Sequence, residues 1–214
     1  MRSAVALASL LLVLTACTDD DGGDVAADPA GSGGSGGSPA ALEVPVPDGP
    51  VRTARLVTVM DTGTPELCLG AVAESYPPQC GGPAITNWDW ATHGQEAFEQ
   101  QGDVRWGDYA LTGTWDGTAF TVTDAVPAAL HNPVSEAPSP TPSPATSYTD
   151  DELATIGEEV AALPGVESAY GGQGSDGHVL ADVVYDDGTI QAFVDAEYGA
   201  GVVVVSAGLL DATG

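Results

Sequence analysis

Apolar and polar positions change rhythm three times along this chain, and each change predicts a different kind of segment. Residues 4–14 are apolar apart from Ser9 and follow Met1-Arg2. A run of about 11 residues is too short to cross a bilayer as a helix, and with small residues ahead of Cys17 it predicts a secretory signal over 1–16. From 42 to 130, short β-rich runs alternate with turn residues. Arg52–Met60 predicts a strand that ends at the turn Asp61-Thr-Gly-Thr-Pro65. Glu66–Ala73 predicts a second strand, and Ala84–Asn87 a short third beyond the Pro77-Pro78 loop. Trp88–Gly102 predicts loop or helix, while Val104–Trp115 and Thr118–Val126 flank Asp116-Gly117, the strongest hairpin signal in the chain.

After residue 148 the period lengthens. Thr149-Asp-Asp-Glu152 spells a capping box, with Tyr148 and Leu153 placed for a hydrophobic staple. Leu153, Ile156, Val160 and Leu163 share one helical face, and Pro164-Gly165 stops it. Val166–Tyr170 and His178–Tyr185 read as strands. Ile190, Phe193, Val194 and Tyr198 predict a helix ended by Gly199, with the return arm of an Asp-Gly hairpin as the alternative. Val202–Ser206, apolar on both faces, predicts a central strand. The expected fold class is therefore α+β: a small all-β domain over 42–130, its element order that of an OB-like barrel of five strands, then a small α+β domain over 148–214.

Two stretches cannot bury a core. Residues 17–41 are rich in Gly, Ser and Asp, and such a tether has an r.m.s. span of roughly 25–30 Å. Residues 131–147 carry prolines at 133, 138, 140, 142 and 144, a density that favours an extended linker. Charge narrows the partners. There are 31 acidic residues against four arginines, with no lysine, giving a net charge of −27. Nucleic acid binding draws on Lys and Arg clusters, so neither nucleic acid nor an anionic lipid headgroup is expected as a partner.

Leu14-Thr-Ala-Cys17 resembles the lipobox of bacterial lipoproteins. The resemblance implies that Cys17 receives a diacylglycerol and becomes the new N-terminus, so that the chain is held at the extracytoplasmic face of the cell membrane by a two-chain anchor. Palmitate is the kind of acyl group such an anchor carries. The remaining pair, Cys68 and Cys80, is even in number, closely spaced and exported, which predicts a disulfide. Closing so short a loop contributes about 3 kcal/mol in the chain-entropy view.

The runs Leu67-Cys-Leu-Gly70, Ser75-Tyr-Pro-Pro-Gln-Cys80-Gly-Gly-Pro83 and Trp88-Asp-Trp90 resemble a pattern in uncharacterised exported proteins and lipoproteins of actinobacteria, and Asp195–Ser206 is similar to their C-terminal segments. The resemblance implies location and disulfide pairing, and carries no activity.

Several short motifs match catalytic signatures by letter. Asp61-Thr62-Gly63 has the aspartic-protease tripeptide, but that chemistry takes two carboxylates sharing a proton, and a polar turn explains the same residues. Gly172-Gln-Gly-Ser-Asp-Gly177 fits a dinucleotide fingerprint, yet a strand follows it where a helix is needed. His93, His131 and His178 have no ligand spacing, and Asp186-Asp187-Gly188 reads as a turn or helix cap. No metal or cofactor is expected. Trp88, Trp90, Trp106, Tyr109 and Trp115 crowd together with Asn87, Asp89, Asp103 and Asp108, which makes them a candidate ligand face for cell-wall glycan or another envelope protein. The alternative use of the same rings is core packing. Two functional readings result: a surface-tethered, non-catalytic binding or structural module, or a secreted hydrolase whose site is assembled only in three dimensions.

Overall fold

The computed structural model describes residues 42–132 and 141–212. The predicted signal peptide, Cys17, the predicted tether and part of the proline-rich linker lie outside the described residues.

The first segment folds into a closed barrel of five strands. β1 (Val51–Thr53) precedes it, and the barrel is built from β2 (Val57–Asp61), β3 (Pro65–Cys68), β4 (Ala84–Ile85), β6 (Val104–Trp115) and β7 (Ala119–Pro127), with β5 (Glu99–Gln101) added to β6. The pairing runs β2-β3-β4-β7-β6 and closes through β2–β6; β4 and β7 run parallel while the other pairs are antiparallel. This is the expected small OB-like barrel. Alternation drives it: in β6 and β7 the inward positions Tyr109, Leu111, Phe120 and Val122 are buried to 3 % exposure or less.

Some predicted strands are shorter than their sequence pattern, the third ending at Ile85 rather than Asn87. Arg52–Met60 breaks into β1 and β2, because Ala54 N–H donates to Gly208 O at 2.9 Å and the Arg55 guanidinium donates to Leu69 O. Glu66–Ala73 stops at Cys68, where the chain turns away into the disulfide loop.

The second segment holds α1 (Asp150–Ala161), β8 (Val166–Gly171), β9 (Val179–Tyr185), α2 (Thr189–Tyr198) and β10 (Val203–Asp211). The capping box forms, with Thr149 Oγ1 accepting from Glu152 N and the Glu152 carboxylate accepting from Thr149 N at 2.8 Å. Residues 189–198 are helical, the favoured of the two readings, and β9 and β10 lie parallel across that helix. Leu153, Ile156, Val160 and Val194 of the helices pack on Val179, Ala181 and Val203.

β1 joins the two segments. It pairs antiparallel with β6 on one side (Val51↔Gly113) and with β10 on the other (Val51↔Asp211), so one ten-stranded sheet runs from the barrel to the edge strand β8. The core follows the sheet: Val184, Tyr185 and Leu209 share a cluster with Val51, Leu69 and Trp115. Part of the linker also packs, since Ala145 N–H donates to Ala200 O at 2.8 Å.

Candidate functional site

The five aromatic side chains predicted as a candidate ligand face lie in the interior. Tyr109 is fully buried, and Trp88, Trp90, Trp106 and Trp115 are exposed by 9 % or less. Rings covered to this degree offer a sugar little surface, and packing is their main service, although Trp106 and Trp115 each keep a small exposed part on a surface concavity. Trp88 meets both Trp90 and Tyr109 edge-on at centroid distances of 5.3 and 5.0 Å. The Tyr109 hydroxyl lies 2.9 Å from Ala97 O and 3.1 Å from Gly94 O, pinning the irregular 88–98 segment over the barrel. Burial, then the charge of Asp108, pushes its phenol up to about 12. Trp106 faces the other way, packing with Met60 and Cys68 under the disulfide loop, where Tyr76 stands edge-on to it.

The disulfide is present. Cys68 and Cys80 are bridged with their Cα atoms 5.8 Å apart.

Each short motif finds a structural partner. Asp61 accepts from the Trp90 indole at 2.8 Å and from Gly63 N at 2.9 Å, which makes the Asp-Thr-Gly tripeptide a turn lock. The Gly172–Gly177 stretch is the β8–β9 hairpin loop, closed by Ser175 on Gly172 O. His178 Nδ1 sits 2.8 Å from Gly201 O and therefore donates its proton there. His93 stacks on Trp88, and its Nδ1 accepts from Asp89 N. Asp186 accepts from Ile190 N at 2.9 Å and caps α2, the helix-cap role its spacing suggested. Among the described residues no group of three His, Cys, Asp or Glu side chains is placed to hold a metal ion.

A concavity that the sequence pattern did not predict lies where the barrel meets the second segment. It encloses about 440 Å³, within the range of small-molecule sites. On the barrel side, β6 delivers Trp115 and then turns. Asp116 Oδ1 accepts from Ala119 N at 2.7 Å and Thr118 N at 2.8 Å, which lowers its pKa and sets Gly117 at the hairpin tip with φ 91°. On the opposite side, the Pro164-Gly165 turn and the bulge between Val166 and Ser168 swing Glu167 out to the rim, where it is exposed. Val184 and Tyr185 of β9 complete that wall.

The entering chain forms the third side. Pro45 is buried, while Val44 lies beside Gly165 and Val46 beside Gly117; a Cβ on either glycine would come within 3.1 Å of the valine. Tyr185 donates its hydroxyl to Asp211 Oδ1 at 3.0 Å. Burial first, then Asp211, Asp187 and Asp48, push its phenol up to about 12.

The local elements that shape this cleft are the Asp116-Gly117 turn of the barrel and the Pro164-Gly165 turn with the bulge at Val166–Ser168. That they face one cleft is unreadable without knowing that β1 pairs with both β6 and β10. Compared with known proteins, the chain matches no protein family, no curated protein and no solved structure.

Proposed function

We propose that this protein is a lipid-anchored, extracytoplasmic binding module whose ligand occupies the cleft between barrel and second segment. The cleft carries the reading: about 440 Å³ of space lined by apolar, aromatic and glycine residues together with Thr118, with a single carboxylate, Glu167, among the described residues that line it. Apolar walls with few polar groups are the usual composition of sites for small organic ligands. The lipobox-like Leu14-Thr-Ala-Cys17 and the Cys68–Cys80 bridge, a bond that persists in oxidising compartments, support the location.

Two measurements test the halves of the proposal separately. Cells fed a labelled fatty acid should incorporate it into the wild-type protein and not into Cys17→Ala; equal labelling of both would end the anchor. Crystals soaked with small aromatic fragments should show density beside Trp115 and Tyr185. Fragments found everywhere but there would remove the cleft from consideration.

A further inference from the structure

Resting on the reading of the junction cleft as a ligand site, we propose that the ligand is a small organic cation, an ammonium group on an apolar body. Val44, Pro83 and Val184 give such a body apolar contact, and Trp115 and Tyr185 place two aromatic side chains in the same walls. Glu167 supplies a full negative charge at the rim.

The surroundings have one sign. The charged groups acting on Tyr185 are Asp211, Asp187 and Asp48, all carboxylates. None of the three arginines among the described residues lines the cleft. An anion would enter against Glu167 and against a chain of net charge −27. A neutral ligand would gain the walls and leave the carboxylate unused. A cation uses both, and the field of the whole molecule raises its local concentration.

The experiment is a titration of the purified full chain with three molecules that share one body and differ in the head group: phenethylammonium, 2-phenylethanol and phenylacetate. Calorimetry gives the affinities, and crystals soaked with each give the position. The ammonium should bind at least tenfold more tightly than the alcohol, with phenylacetate weakest, and added salt should weaken the ammonium alone. Glu167→Gln should lower ammonium affinity roughly fivefold, the scale of one exposed ion pair, while leaving alcohol affinity and melting temperature unchanged. Glu158→Gln, a charge of the same sign on α1 and outside the cleft, should change neither.

Equal affinities for ammonium and alcohol, or equal losses in the two variants, would overturn the cation and leave the cleft as a binding site. So would an ammonium seen bound away from Glu167. Binding by none of the three would remove the cleft reading as well.

Discussion

Three tyrosine hydroxyls tie this molecule's stability to alkaline pH. Tyr109, Tyr185 and Tyr198 all have phenols pushed up to about 12, with burial the largest cause in each case. A phenol that holds its proton more tightly when folded stabilises the fold fully below its ordinary pKa near 10. That contribution is lost as pH climbs from there through 12. Urea midpoints should therefore be flat on the approach to pH 10 and fall steeply beyond it. Tyr109→Phe is expected to cost about 1–2 kcal/mol at neutral pH, because it strips the O–H from two carbonyls of the 88–98 segment. It should also make the alkaline decline shallower. A variant with an unchanged alkaline limb would show that Tyr109 does not carry this dependence.

Among the elements, α1 rests on β8 through an approach that tolerates no side chain. A Cβ on Gly171 would lie 2.2 Å from the carbonyl oxygen of Leu153, a backbone atom with nowhere to go. Gly171→Ala should destabilise by about 1–3 kcal/mol or more, the cost of overpacking a close contact. Thr149→Ala, which removes the cap one turn ahead of Leu153, should cost about 1 kcal/mol. Urea unfolding monitored by helical circular dichroism measures both. α1 was legible because its cap, apolar face and stop are all local. The Asp116-Gly117 hairpin was legible for the same reason, since β6 and β7 are neighbours in both chain and sheet, whereas the β4–β7 and β2–β6 pairings that close the barrel join strands distant in the chain. The break between β1 and β2 was not, since it depends on Gly208 and Leu69, far along the chain. The aromatic set was ambiguous at source. Rings that pack and rings that bind have the same composition, and only burial tells them apart.

For the whole molecule, the sheet and core that cross from barrel to second segment predict one unfolding event. Scanning calorimetry should give a single peak whose van't Hoff and calorimetric enthalpies agree. Two resolved peaks would mean that the two segments open independently despite sharing Val184, Tyr185 and Leu209 with the barrel core. The position of β1 has a consequence for the order of assembly. Its partners are β6 and β10, so one of the earliest strands is flanked by one of the latest. A chain emerging N-terminus first, from a ribosome or through a translocation channel, leaves Val51–Thr53 with an unmatched edge until residues 203–211 have appeared. The barrel can close through β2–β6 before then, but the continuous sheet that joins it to the second segment must wait for that tail.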